Sequence, residues 1–99
     1  MANASNLCML IGNIGKDPES RTVGTYTVCT FSIAVKKFGK GENNTQWVGV
    51  EIWGKKAETA LQYLKKGAKI SIVGELCIDS FEVKGEKKTK TYIKADDFS

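Results

Sequence analysis

The sequence predicts a single, mainly β domain in which five strands close into a small barrel, with one helix between the third and fourth strands. Five segments carry alternating or continuous apolar residues bounded by turn residues. Only one segment, residues 55–66, has apolar residues at helical spacing. A chain of 99 residues has room for one domain, so we expect a domain over residues 1–99 with an ordered barrel at about residues 6–97.

The first two predicted strands differ in how clearly their faces can be assigned. The first, residues 6–15, is too continuously apolar for alternation to orient it. A turn is predicted at residues 16–20, which contain the only proline. The second strand, residues 28–37, alternates and is therefore half-buried, with its core face formed by Cys29, Phe31, Ile33 and Val35.

The third predicted strand, residues 46–53, places two tryptophans on its solvent face. Val48, Val50 and Ile52 share the parity expected of a core face. The opposite parity carries Trp47, Gly49, Glu51 and Trp53, and Glu51 is expected in water. Two exposed indoles in line suit a flat ligand such as an unpaired nucleobase. Burial of the same rings at a subunit interface is the alternative.

The remaining elements complete the order β-β-β-α-β-β. The helix over residues 55–66 is expected to end with Lys65 and Lys66 near its negative pole and Gly67 as its cap. The fourth strand covers residues 69–83, with a bulge or bend at Gly74. A charged hairpin tip, residues 84–88, leads into a fifth strand, residues 89–95. This order is that of the OB-fold, whose strands two and three bind nucleic acid.

The charge pattern favours a polyanionic partner. Fifteen Lys and Arg residues oppose eleven Asp and Glu residues, which gives a net charge of +4. Arg21 is the only arginine, and lysine suits general phosphate contact better than base reading. Two lysine clusters flank the expected groove and are predicted to contact phosphates, although they could serve solubility alone: Lys36, Lys37 and Lys40, and Lys84, Lys87, Lys88 and Lys90.

The sequence offers no catalytic site, metal site or cofactor motif. It has no histidine, no phosphate-binding GxxxxGK[ST] loop and no carboxylates paired by spacing. Cys8, Cys29 and Cys77 are widely spaced and read as small core residues in a reducing compartment. No apolar run approaches a membrane span and the N-terminus lacks a basic signal region, so we expect a cytoplasmic protein.

Several segments resemble bacterial single-stranded DNA-binding proteins, which have an OB-fold. They are Leu10-Ile11-Gly12-Asn13-Ile14-Gly15-Lys16-Asp17-Pro18-Glu19, Phe31-Ser32-Ile33-Ala34-Val35, Trp47 through Glu58, Tyr63 through Gly67 and Val73-Gly74-Glu75-Leu76. The resemblance extends from about residue 6 to residue 97 in matching order and spacing. One departure is Asp79, an acid in the stretch before Phe81 where the family often has cations.

The resemblance implies single-stranded DNA as the partner, bound without strong sequence preference and protected during replication, recombination and repair near the nucleoid. It implies base stacking by Trp47, Trp53, Phe38 and Phe81, although Phe38 could instead anchor a loop and Phe81 could lie in the core. It also implies a homo-oligomer, with a tetramer favoured over a dimer. Because the chain stops at Ser99, we expect no partners recruited through an acidic tail. A tailless primosome-type OB subunit and an OB-fold protein-interaction adaptor are the alternatives.

Overall fold

The structure is a computed structural model that describes residues 5–37 and 44–99. Within these residues, six strands and one helix follow one another along the chain. They are β1 (Cys8–Ile14), β2 (Glu19–Val23), β3 (Tyr26–Lys36), β4 (Thr45–Trp53), α1 (Lys55–Tyr63), β5 (Lys69–Val83) and β6 (Glu86–Phe98).

Five of the strands form a closed ring. The sheet order is β1-β5-β6-β4-β3-β2, and an additional pairing of β1 with β3 closes it. β4 and β6 run parallel, whereas the other pairs are antiparallel. The helix lies between the third and fourth ring strands in chain order, so the predicted OB-fold is confirmed.

The core fills the ring with side chains from alternate strand positions. Cys29, Phe31 and Ile33 of β3 point inward, as predicted, and meet Val50 and Ile52 of β4. Ile14, Ile70, Ile72 and Ile93 complete the centre, and Ala57 and Ala60 place the apolar stripe of α1 against it. Leu61 and Leu64 are partly buried against the same core.

The strand β2 was missed by the sequence analysis, which placed residues 16–20 in a turn. All five residues of β2 are exposed, and the strand pairs only with β3, outside the ring. A strand with no buried face has no reason to alternate, so hydrophobic patterning cannot detect it. The chain therefore has six strands in its described part rather than the predicted five.

The helix ends three residues earlier than predicted, and its predicted cap was wrong. Leu64 is already extended, and its N–H donates to the Ala60 carbonyl oxygen at 2.8 Å. Lys65 and Lys66 follow the helix, and the N–H of Lys66 donates to Asp17 Oδ1 at 2.8 Å. Gly67 lies in the next turn with a φ of 90° and donates to the Ile14 carbonyl oxygen at 2.7 Å. The backbone N–H groups of Lys66 and Gly67 thus bond to Asp17 and to β1 instead of to helical carbonyl groups, and the helix ends before them.

The long hairpin of β5 and β6 projects beyond the core. The bulge predicted near Gly74 is confirmed by a register shift between Val73 and Gly74. A Cβ at Gly74 would lie 2.2 Å from the Lys94 carbonyl oxygen, so the strands approach there as only glycine permits. The hairpin tip is shorter than the predicted residues 84–88. It is a two-residue turn of Lys84 and Gly85, both at positive φ, and β6 begins at Glu86.

In the described part of the chain, no helix has the length and apolar character needed to cross a membrane.

Candidate nucleic-acid interface

The outer face of the sheet carries Trp47 as an exposed ring. β4 lies between β3 and β6, so its outward residues have neighbours on both sides. Trp47 is 62% exposed, as the alternation of β4 predicts. A Cβ at Gly15 would lie only 2.4 Å from the Trp47 ring, so the indole rests against the glycine that follows β1. The ring is therefore held at one edge while most of its surface faces solvent.

Trp53 shares the outer face but is partly covered. Its indole N–H donates to Glu51 Oε1 at 3.1 Å. The Lys94 ammonium lies 4.9 Å from the centre of the indole, and the Tyr26 ring centre lies 6.1 Å away at a tilt of 60°. The predicted exposure on the solvent face is therefore found for Trp47. Trp53 lies on the same face, but Lys94 and Tyr26 already cover part of its ring.

Glu51 lies at the centre of this face and is buried, contrary to the expectation that it would lie in water. The residue is 5% exposed. Its Oε2 forms ion pairs with Arg21 at 3.1 Å and Lys90 at 3.4 Å, while Oε1 accepts the Trp53 N–H. A buried carboxylate is tolerated only when it is hydrogen-bonded and paired. Arg21 reaches it from β2, the strand that the sequence analysis missed.

A groove of about 520 Å³ lies beside Trp47 on the outer face. Its floor includes Ser32 of β3 and Gly49 of β4, and Tyr92 and Lys90 of β6 form one side. The segment after β1, including Gly15 and Lys16, forms the other side. The lining combines the rings of Trp47 and Tyr92 with two lysines and three carboxylates, Asp17, Glu19 and Glu51. The exposed ring of Trp47 is the feature that suits single-stranded nucleic acid.

Tyr92 is an aromatic residue of the groove that no local sequence pattern identifies. Its hydroxyl donates to Asp79 Oδ2 at 2.9 Å, and the Lys90 ammonium lies 5.1 Å from its ring centre. Burial, followed by the hydrogen bond to Asp79 and the charge of Glu51, raises the pKa of Tyr92 above its ordinary value. The hydroxyl is therefore a neutral donor at physiological pH. Its strand was predicted, but only the register of β6 beside β4 reveals its place in the groove.

Phe81 is exposed rather than part of the core. It pairs with Lys88 across the hairpin, two positions beyond the pair of Asp79 and Lys90 and four beyond that of Cys77 and Tyr92. These pairs share one parity, so Phe81 and Lys88 lie on the face that carries Tyr92. Lys87 pairs with Glu82 on the opposite face.

The other described lysines of the predicted site differ in their exposure and in whether they already form an ion pair. Lys36 ends β3 and Lys37 follows it, and both are exposed. Lys84 is exposed at the hairpin tip. Lys90 borders the groove but already pairs with Glu51. Phe38 and Lys40, the other two predicted site residues, lie outside the residues that the structure describes.

The described residues include no group of three or more His, Cys, Asp or Glu side chains arranged to hold a metal. Cys29 is fully buried, and burial raises the pKa of its thiol to about 11. Such a thiol stays protonated and acts as a small core residue. The prediction that all three cysteines are core residues holds fully for Cys29, whereas Cys8 and Cys77 are only half-buried.

Comparison with known proteins gives a consistent result. The sequence model described as the single-strand binding protein family matches residues 5–99. A protein of Clostridium tetani named "Single-stranded DNA-binding protein" is 41% identical over 97 residues, which cover 93% of this chain and 67% of the relative. A Xylella fastidiosa protein of the same name is 34% identical over 98% of this chain and 63% of the relative.

A Synechocystis protein named "Single-stranded DNA-binding protein 1" is 37% identical over 92% of this chain and 78% of the relative. This chain thus spans about two thirds of the length of the Clostridium tetani and Xylella fastidiosa relatives. The matches confirm the resemblance that the segments of the sequence indicated.

Proposed function

The chain belongs to the single-strand binding protein family, and from this premise we propose that it binds single-stranded DNA without strong sequence preference. Aromatic rings of the outer sheet face stack on bases, and lysines neutralise phosphates. The activity is binding rather than catalysis. Protection of unwound DNA in replication, recombination and repair follows from this chemistry and gives the protein a place at the nucleoid in the cytoplasm.

The exposure of Trp47 carries the proposal. A small domain gains much by burying an indole, yet this ring is 62% exposed on a sheet face beside a groove. Every base has a π-face, so a ring of this kind binds bases of any identity. The proposed contacts extend from Trp53 through Trp47 to Phe81, with Phe38 as a further stacking residue. The phosphate contacts are proposed for Lys36, Lys37, Lys40, Lys84, Lys88 and Lys90. The predicted contact of Lys87 is not kept in the proposal, because Lys87 pairs with Glu82 on the opposite face of the hairpin.

A Trp47→Ala variant tests the proposal. Loss of one base stack is worth about 1–3 kcal/mol, so affinity for oligothymidylate should fall by roughly tenfold or more. Tyr63→Ala is the matched control because Tyr63 is equally exposed, at 68%, but lies on α1 and does not line the groove. Fluorescence anisotropy measures both affinities. Unchanged binding by Trp47→Ala, or no quenching of tryptophan fluorescence by DNA in the unaltered protein, contradicts the proposal and favours a protein-interaction adaptor.

We also propose that the protein is a homo-oligomer, with a tetramer favoured over a dimer. Leu7, which directly precedes β1, and Met9 and Ile11 of β1 form an exposed apolar stripe. A second exposed pair, Leu76 and Ile78, lies on β5. Exposed apolar patches of this kind indicate protein interfaces. A dimer needs one self-complementary interface, whereas a tetramer of dihedral symmetry needs at least two, and two patches are available.

A further inference from the structure

Two neighbouring positions on the outer face, Ser32 and Gly49, carry very small side chains or none. Ser32 of β3 pairs with Gly49 of β4, which pairs in turn with Tyr92 of β6. Trp47 stands two residues before Gly49 on the same face of the strand. Ser32 and Gly49 therefore form a shallow floor between two aromatic side chains, and all four residues line the groove.

The glycine at position 49 is not required by the fold. A Cβ there would meet the Tyr92 Cβ at 3.6 Å and the Thr91 carbonyl oxygen at 3.9 Å, which are ordinary van der Waals distances. By contrast, a Cβ at Gly12 would lie 2.3 Å from the Ala34 carbonyl oxygen, and one at Gly74 would lie 2.2 Å from that of Lys94. Glycine weakens a strand interior, and there it often marks the close approach of a ligand.

The Tyr92 ring is fixed in orientation at the edge of this floor. Its hydroxyl donates to Asp79 on β5, and the Lys90 ammonium lies over its ring. The ring is half-buried and borders the groove, so part of its surface is available for contact. A ring held by a hydrogen bond at its far end loses little further freedom when a ligand binds.

From this arrangement we propose that Ser32 and Gly49 form the floor of a seat for one nucleobase, with Trp47 and Tyr92 as its aromatic walls. The inference rests on the proposed function, because the nucleobase is one of a bound single strand. It adds Tyr92 to the stacking residues and gives Gly49 a role in ligand binding. Because the contacts are to the ring faces and to a small floor, the seat accepts any base.

The experiment compares variants of the seat in their affinity for fluorescein-labelled oligothymidylate. Gly49→Val fills the floor with a β-branched residue that favours strands, so affinity should fall about tenfold with no loss of melting temperature. Tyr92→Ala should weaken binding to a similar extent, whereas Tyr92→Phe, which keeps the ring, should stay within about twofold of the unaltered protein. Thr91→Val is the control, because its side chain lies on the opposite face of the same strand.

A second readout tests contact directly. Oligonucleotides that carry 5-bromouracil should cross-link on irradiation to the peptide containing Tyr92, and Gly49→Val should reduce this product. Binding by Gly49→Val equal to that of the unaltered protein overturns the seat. So does a Tyr92→Phe variant as weak as Tyr92→Ala, because the hydrogen bond to Asp79 would then be what matters.

The outcome of Trp47→Ala separates this inference from the proposed function. If Trp47→Ala weakens binding while Gly49→Val and Tyr92→Ala do not, the protein binds DNA but lacks the seat. If Trp47→Ala also binds normally, both proposals fail. If Tyr92→Ala lowers the melting temperature, the affinity of Gly49→Val still tests the seat, because a Cβ at residue 49 lies at ordinary van der Waals distances from its neighbours.

Discussion

At the residue scale, Glu51 shows how partners override the usual location of a charged side chain. Its position on β4 has the parity of the outer face, which in most half-exposed sheets is wet. Here Arg21 and Lys90 reach it from strands on either side, and Trp53 donates to its other oxygen. The carboxylate therefore links β2, β4 and β6, and it orients the Trp53 indole.

We expect Glu51→Ala to lower the free energy of unfolding by about 1–3 kcal/mol. The change leaves the Trp53 N–H without its acceptor and leaves two cations without their partner. This loss of stability is smaller than that expected for a fully buried ion pair. The Arg21 and Lys90 side chains are about half exposed, at 49% and 55%, so solvent screens their attraction to Glu51. Urea denaturation measures it, with the exposed Glu82→Ala as the control. Equal stability of the two variants would show that the network contributes nothing.

Cys29 makes the stability of the protein depend on pH in the alkaline range. Its thiol pKa is about 11 in the folded chain, compared with 9.0 for a free thiol, because of burial. The unfolded chain therefore loses this proton first, and stability is complete below pH 9 and falls as the pH rises toward 11. A difference of two pKa units corresponds to roughly 2–3 kcal/mol.

Urea denaturation at pH 8, 9 and 10 would measure this loss of stability. Cys29→Ala is less stable at every pH, because it leaves a cavity in the core, but its pH dependence should be shallower. The raised pKa of Tyr92 also makes stability fall at alkaline pH, so the comparison concerns the difference in slope between the two proteins. Parallel curves for the variant and the unaltered protein would exclude Cys29 as the source.

At the element scale, the hairpin of β5 and β6 extends the binding face away from the core. Phe81 and Lys88 pair across it and share the face of Tyr92. Its tip turns within two residues, so the lysines of β6 lie on a regular strand with alternating directions. This regularity makes the contribution of each lysine separable by substitution.

We expect Lys88→Ala to reduce the salt dependence of DNA binding. Loss of one phosphate contact should lower the magnitude of the log–log slope by about 0.7 for a single strand. The helix lysine Lys55, exposed at the start of α1, gives the control variant Lys55→Ala. Anisotropy titrations over a series of salt concentrations provide the slopes. Identical slopes for both variants would remove Lys88 from the binding face.

The elements that the sequence predicted well are those with one buried face. The strands β3 and β4 alternate because one side packs on the core, and that alternation also exposed Trp47. β2 has no buried face, and α1 ends where hydrogen bonds to β1 and to Asp17 replace helical ones. Tyr92 and Arg21 join the site through register between strands distant in sequence, which no local pattern encodes.

At the scale of the whole molecule, the two sides of β1 explain both the core and the proposed assembly. Leu10 and Ile14 face inward, whereas Leu7, Met9 and Ile11 point outward. Hydrophobic alternation cannot orient this strand, because both of its faces are apolar. A strand of this kind is typical where one face packs on the core and the other on a second subunit.

We therefore expect the protein to have a mass above that of one chain at micromolar concentration, and Met9→Glu to shift it toward the single-chain mass. Met9 is 68% exposed in the single chain, so a charge there costs the isolated fold little, whereas burial of that charge at an interface is strongly unfavourable. Light scattering gives the mass. Tyr63→Glu, at an equally exposed position on α1, is the control and should keep the mass of the unaltered protein. A single-chain mass for the unaltered protein would contradict the proposed oligomer, and an unchanged mass for Met9→Glu would place its interface elsewhere than on β1.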